Sequence, residues 1–325
     1  MEKNSKKSGW RVFFAYCLVL LMAVLGGCAD HLESPTRVGT NQWPGYEPLY
    51  LAEHLGHFGE GRVRMVQFTS TSEVMNALRN GLIEAGGLTL DEALSLQSEG
   101  IDLRVVLVMD VSDGADVILG HEGMEDMSDL EGKRVGYEST ALGAFMLSQG
   151  LHHAGLSFSD IEPVSLTIDE HRRAFLDGQV DAVVTFDPAR SQLLDAGAVE
   201  LFSSSQIPGR VVDVLAVRGE VLEEQPGRLN LIVEGWFDAL DWMEAHPRQA
   251  LERMAPRLGI PPDQLEHAYR GMQLPDAERN RHLLGGEAPV LADTIAELRP
   301  VLESQGLLEG PVDADRLLTP RLVED

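Results

Sequence analysis

The chain has 325 residues, with 26 lysines and arginines against 52 aspartates and glutamates, for a formal charge of −26 at pH 7. That charge sets aside nucleic acid as a partner, because tracking phosphates needs a basic surface. Two cysteines exclude a disulfide-built scaffold, so the fold must rest on an apolar core, which a chain of this length can bury as one large or two smaller domains.

In chain order, Lys3, Lys6, Lys7 and Arg11 form a positive cluster ahead of Val12–Leu25, an unbroken apolar run. The run is short of the roughly 20 residues of a membrane-spanning helix and has the length of a signal-peptide core. Leu25-Gly26-Gly27-Cys28 follows and resembles the lipobox of bacterial lipoproteins. The resemblance implies removal of residues 1–27 and acylation of Cys28, holding the protein by lipid on the periplasmic side of a bacterial membrane; an uncleaved anchor helix is the alternative. Cys17 would leave with the signal, so no disulfide or cysteine-held metal is expected afterwards. Residues 1–27 carry a net +3, leaving −29 on the remainder, in which Lys133 is the only lysine. Residues 28–35 are polar, contain Pro35 and are expected to form a tether.

Beyond the tether, short apolar strands alternate with helices. Strands are expected at Arg37–Gln42, Arg62–Phe68 and Leu103–Met109, with helices at Pro48–Leu55 and Ser72–Arg79 and an apolar segment at Gly81–Leu88. Thr89-Leu90-Asp91-Glu92 has capping-box spacing. The pattern restarts near residue 120. Strands are expected at Val135–Tyr137, Val164–Ile168, Ala182–Phe186 and Val211–Val217, with helices at Ala141–Ala154, Glu170–Asp177 and Pro188–Ala196. Four helices punctuated by Pro247, Pro261, Pro262 and Pro275 close the chain. Strands joined by helical crossovers predict an α/β fold with mostly parallel sheets, in two lobes.

Several stretches are together similar to periplasmic solute-binding proteins of the nitrate/taurine/sulfonate type, a group that includes thiamine-precursor binders. They are Asn41-Gln42-Trp43-Pro44-Gly45-Tyr46-Glu47-Pro48, Ser112–Asp116, Asp129–Gly136, Gly178–Ala182 with Phe186-Asp187-Pro188, and Ser204–Gly209 with Val212–Leu215. The resemblance implies the two-lobed type II periplasmic-binding fold. Lobe 1 would comprise residues 36–120 and 211–325, lobe 2 residues 121–210, and the hinges would lie at Leu119–Glu122 and Pro208–Val211. It also implies a monomer that delivers a small-molecule solute to the permease and ATPase of an ABC importer, with no cofactor.

In such a fold the cleft is built from loops at the carboxyl ends of strands, where helix N-termini converge. That selects Asn41, Trp43 and Tyr46, whose rings could flank a solute or simply pack a Pro-Gly turn. Thr89 could meet a ligand or only cap its helix. Ser139 and Thr140 open a helix and could form an anion site, although Glu138 beside them opposes one. Asp116, Asp187 and Asp213 could accept hydrogen bonds from an amine, amidine or amino-pyrimidine, or could pair with Arg134, Arg190 or Arg210. For a sulfonate or nitrate, Arg210 is the candidate cation. Ligand charge is therefore open, and the expected solute is a small nitrogen- or sulfur-containing compound.

Two other functions compete. The resembling superfamily contains enzymes with a cysteine-rich iron motif, which this chain lacks. His152 and His153 are adjacent and point apart on a helix, and Asp169-Glu170-His171 suits a helix cap, so neither metal site nor catalysis is expected. A sensory protein signalling through a membrane partner would have the same fold and cleft.

Overall fold

A computed structural model of the chain describes residues 34–286 and 289–324. Cys28, the signal segment and all but the last two tether residues lie outside the described residues. The first four strands alternate with helices as the apolar pattern requires: β1 (Thr36–Thr40), α1 (Glu47–Leu55), β2 (Val63–Gln67), α2 (Thr71–Arg79), β3 (Ala85–Thr89), α3 (Leu90–Ser98) and β4 (Leu103–Ser112). The chain then crosses to a second sheet through β5 (Val117–Gly120), β6 (Arg134–Tyr137), α4 (Ala141–His153), β7 (Glu162–Ser165), α5 (Ile168–Leu176), β8 (Ala182–Thr185), α6 (Ala189–Asp195) and β9 (Val199–Ser203). It returns as β10 (Val212–Arg218) and continues into α7 (Gly219–Glu224), α8 (Pro226–Ala245), α9 (Pro247–Leu258) and α10 (Pro262–Tyr269). A short β11 (Met272–Gln273) precedes α11 (Ala277–Leu284), α12 (Val290–Ser304) and α13 (Ala314–Leu317). Among the described residues, no helix is long and apolar enough to cross a membrane.

The first sheet has the order β11-β4-β10-β3-β1-β2 and the second β7-β6-β8-β5-β9. Strands β1 to β3 are parallel neighbours, and β10 runs against both β3 and β4. In the second sheet β6, β7 and β8 are parallel and β5 opposes β8 and β9. The expected α/β class with mostly parallel sheets is therefore the one observed. Leu103, Val105, Val106, Leu107, Val108 and Met109 are fully buried. That explains why this segment reads as a continuous apolar run: a central strand covered by helices on both faces has no wet side to alternate with.

Several details differ from expectation, among them the strand expected at Val164–Ile168, which runs Glu162–Ser165 with Ile168 opening α5. The crossing out of the first sheet lies at residues 113–116, not at Leu119–Glu122, because Val117–Gly120 already pairs with β8 and β9. Four residues are too few to show a period, and pairing rather than local pattern makes them a strand. Likewise β9 and α11 are absent from the expected elements. The α11 sequence AERNRHLL is largely polar, and tertiary packing holds it.

The two crossings are bonded to each other. Ser112 Oγ lies 2.8 Å from Ser204 Oγ, Gly114 N–H donates to Ser204 Oγ at 2.7 Å, and Ser112 N–H donates to Val211 O at 2.9 Å. On the far edge of β4, β11 pairs only with Val111 and Ser112. Buried Asn280 of α11 replaces a strand there: Val108 N–H donates to Asn280 Oδ1 at 2.7 Å, and Asn280 Nδ2 donates to Val108 O at 3.1 Å. Asn280→Ala should strand both backbone groups and cost about 2–3 kcal/mol. The expected result is a lower urea midpoint with an unchanged m-value.

Candidate functional site

The carboxyl ends of strands from both sheets face one another, and the loops there converge on a buried cleft. After β1 the chain turns tightly through Trp43-Pro44-Gly45-Tyr46. Gly45 is required by crowding: a Cβ there would overlap Asp110 Oδ2 and the Trp43 indole nitrogen. The turn sends Trp43 Nε1 to Asp110 Oδ2 at 2.9 Å and Tyr46 OH to Asp213 Oδ1 at 2.5 Å. Tyr46 can lie flat on β3 because Gly87 offers no side chain, and a Cβ there would come within 3.1 Å of the ring. Asn41 Nδ2 donates to Thr71 Oγ1 at 2.9 Å.

Strand β10 completes this wall. Its register sets Asp213 beside Thr89 on one side and Asp110 on the other. Thr89 starts α3, and its N–H donates to Glu92 Oε2 at 3.0 Å, as the capping-box spacing implies. From the second sheet, Phe186 meets Trp43 edge-on at 5.1 Å between ring centroids. Glu138, after β6, accepts from Ser72 N–H at 2.9 Å and from Ser72 Oγ at 2.6 Å. Thr140 caps α4 through Gly143 N–H at 3.5 Å.

Between these groups lie two small chambers that share Thr71, Glu92, Asp116, Leu142 and Phe186. Their free room is about 10 and 20 Å³, space for a water molecule or two. Asn41, Trp43, Tyr46, Thr89 and Asp213 line the first, and Glu138, Thr140 and His171 the second. A roomier hollow of about 400 Å³ lies near Gln273, Asp276, Arg279 and Leu291. Its lining has none of the buried, unpartnered polar atoms that distinguish the cleft.

The cleft is acidic and enclosed. Glu92, Asp116 and Asp213 are at most 3% exposed. Burial lifts the Asp116 carboxyl to about 7, and burial raises Asp91, Glu92, Asp110, Asp213 and Glu138 above the ordinary carboxyl range as well. Proximity of Asp110 pushes Asp213 further up, and proximity of Asp91 does the same for Glu92. His171 is buried and lowered to about 4, so at neutral pH it is an uncharged imidazole. Asp116 Oδ2, Glu92 Oε1 and His171 Nε2 are buried without a hydrogen-bond partner among the described residues.

Of the residues singled out in the sequence, Asn41, Trp43, Tyr46, Thr89, Asp116, Thr140 and Asp213 meet at this cleft. Ser139 does not: it is exposed and donates to Ser165 Oγ at 2.8 Å. Asp187 is buried beside the chambers but turned to its own helix, accepting Ser191 N–H at 3.0 Å with Arg190 at 3.7 Å. Arg210 is on the surface with Glu297 at 3.1 Å, and Arg134 pairs with Asp181, so neither brings charge to the cleft. Glu92, Asp110 and His171 were missed as cleft groups. Asp110 had a sequence signal, an acid directly after the apolar run Val105–Met109. Glu92 and His171 were masked by their fit to capping patterns.

Because the Asp116 carboxyl is raised from its ordinary value near 4 to about 7, its contribution to stability is full below pH 4 and is lost as pH rises through 7. His171, lowered to about 4, acts in the opposite sense below its ordinary value of about 6.5. Comparison with Asp116→Asn isolates the first effect. Relative to wild type, the variant should gain about 1 kcal/mol between pH 6 and pH 8 in paired urea titrations.

Comparison with known proteins places this chain in a family. A protein of Escherichia coli named for binding aliphatic sulfonates is 26% identical over 206 residues, which span 63% of this chain and 65% of that protein, just under two thirds of its length. The alkanesulfonate-binding protein SsuA from Xanthomonas axonopodis pv. citri, bound to MOPS, superposes with a TM-score of 0.71 at 22% identity, covering 89% of this chain and 97% of that one. A ligand-binding component of an ABC-type import system from Staphylococcus aureus superposes with a TM-score of 0.75 at 15% identity, covering 90% and 99%. The same fold serves an enzyme: the desulfurization enzyme DSZB matches with a TM-score of 0.64 at 16% identity, covering 88% and 97%. The NMT1-like family model matches residues 31–258, most of the chain, and the protein belongs to the NMT1-like family.

Proposed function

We propose that this protein is an exported solute receptor that hands a small nitrogen- or sulfur-containing organic compound to the permease and ATPase of an ABC importer. The observation that carries this reading is the cleft itself. Loops from two separate sheets place Trp43, Tyr46, Asp116, Thr140 and Asp213 around one buried space, with polar atoms that the protein leaves without partners. Membership of the NMT1-like family supports it, as do the relatives named for binding sulfonates and for ABC-type import. Binding rather than catalysis is the proposed task.

In this reading residues 1–27 are a signal peptide, Cys28 carries the lipid, and the following residues to Pro35 form a short tether. The protein acts as a monomer held close to its permease. One lobe comprises the first sheet with the C-terminal helices, the other the second sheet. The crossings at residues 113–116 and 204–211 would be the hinges. Trp43–Phe186 and Ser72–Glu138 join the two lobes here and would be lost on opening, so a solute that touches both walls would shift the population toward closure.

The reading is tested by X-ray scattering and calorimetry on the signal-free protein, using any solute that raises its melting temperature. Such a solute should reduce the radius of gyration, and Trp43→Ala should weaken its binding about tenfold or more while the far-ultraviolet spectrum is retained. A strain lacking the gene should lose uptake of that solute. Unchanged scattering with a saturating solute would count against closure, and unchanged uptake against delivery.

A further inference from the structure

The titratable groups of the cleft are nearly all acids. Glu92, Asp116, Glu138 and Asp213 line the chambers, and among the described residues no arginine or lysine does. The one basic side chain in that lining, His171, is uncharged at neutral pH because it is buried. Arg134 and Arg210 are held outside the lining by Asp181 and Glu297, and Arg190, which also stands outside it with Asp187 and Glu200, still reaches Asp116 electrostatically and lowers its carboxyl against the larger lift from burial.

Two of the helix N-termini at the cleft, those of α2 and α3, carry the protein's own carboxylates, whereas α4 is capped by the Thr140 hydroxyl and has no acid in its first turn. At α2, Glu138 holds Ser72 N–H and Ser72 Oγ. At α3, Asp91 and Glu92 both lie in the first turn, and Glu92 takes the Thr89 N–H. A helix start so occupied leaves fewer donors for an oxyanion. Independently of this acidic set, Asp116 lines both chambers, is 3% exposed, and has no partner for its Oδ2. Glu92 Oε1 is unpartnered in the same way, and so is His171 Nε2, which donates or accepts according to its tautomer. Buried acceptors left open in this manner call for a donor, and a charged donor most of all. Trp43, Tyr46 and Phe186 supply aromatic surface, which favours cations further. Among the described residues no three Asp, Glu, His or Cys side chains converge as metal ligands do.

We infer that the cleft, once its walls part beyond the room for one or two waters that they leave here, takes a small organic cation, an ammonium or amidinium whose N–H groups are received by Asp116, Glu92 and Asp213 beside the aromatic wall, and that it rejects sulfonate and nitrate. This rests on the solute-receptor reading and narrows its ligand class, away from the sulfonates named for the relatives.

The test is isothermal titration of the signal-free protein at neutral pH and constant ionic strength with five probes: propylammonium, acetamidinium, ethanesulfonate, nitrate and zinc chloride. One of the two organic cations should bind saturably, and the anions should not. Asp116→Asn should weaken that binding about tenfold or more. Glu92→Gln serves as a second variant, and urea midpoints confirm that both are folded. Saturable binding of ethanesulfonate or nitrate, with contraction in scattering, overturns the cation assignment and leaves the receptor reading standing. Saturable binding of zinc alone overturns it in favour of a metal. Failure of both organic cations to bind at millimolar concentration overturns it too. If nothing binds and scattering never changes, the receptor reading falls with it.

Discussion

Strand β10 lies between β3 and β4 and runs against both, and the site follows from that placement. The chain reaches β10 only after building the second sheet, so inserting it ties the two sheets together through two crossings. Ser112 and Ser204 bond those crossings to each other. The register of β10 then puts Asp213 level with Thr89 and Asp110. A slip of one residue would turn Asp213 to the opposite face and place Val212 or Val214 in the cleft. Tyr46 and Trp43 depend on the same register, since each bonds to a carboxyl in that row.

Burying so many carboxyls at one place is unfavourable, and the structure shows what offsets it. Backbone amides, hydroxyls and indole or phenol donors serve part of each acid, and burial pushes the remainder toward the protonated form. Arginines elsewhere in the molecule are used differently. Arg257 holds buried Glu47 and stacks on Tyr50 at 3.7 Å, a contact that fastens α9 to α1 rather than serving the cleft. The cleft is therefore short of positive charge because of where the fold commits its arginines, not because arginines are few. Two helix starts at the cleft, those of α2 and α3, likewise carry internal carboxylates.

Much of the architecture was legible in the sequence because it rests on local physics. The alternation of short apolar runs with helical stretches marks βα units, and the Thr89–Glu92 spacing marks a helix start that the structure reproduces. Elements stabilised from a distance were not legible. Strands β5 and β9 exist because they pair with each other, and α11 exists because Asn280 completes the edge of β4. For the cleft, residues in loops after strands were legible since the fold class assigns such loops to the ligand side. Ser139 and Asp187 satisfied that rule and still point elsewhere, because one residue along a chain changes direction by more than sequence position reveals.

The sequence by itself determined the fold class, the order of βα units, the family resemblance and the acidic character of the chain, all of which follow from residue type, spacing and composition. It left the sign of the ligand open, since Asp116, Asp213 and Arg210 could each have faced inward. Only the tertiary structure decided that Arg210 pairs at the surface with Glu297 while Asp116, Glu92 and Asp213 are enclosed. The physical reason is that charge in a cleft depends on which side chains are withdrawn from water together, and residues 92, 116 and 213 meet only when strand pairing closes the long loops between them.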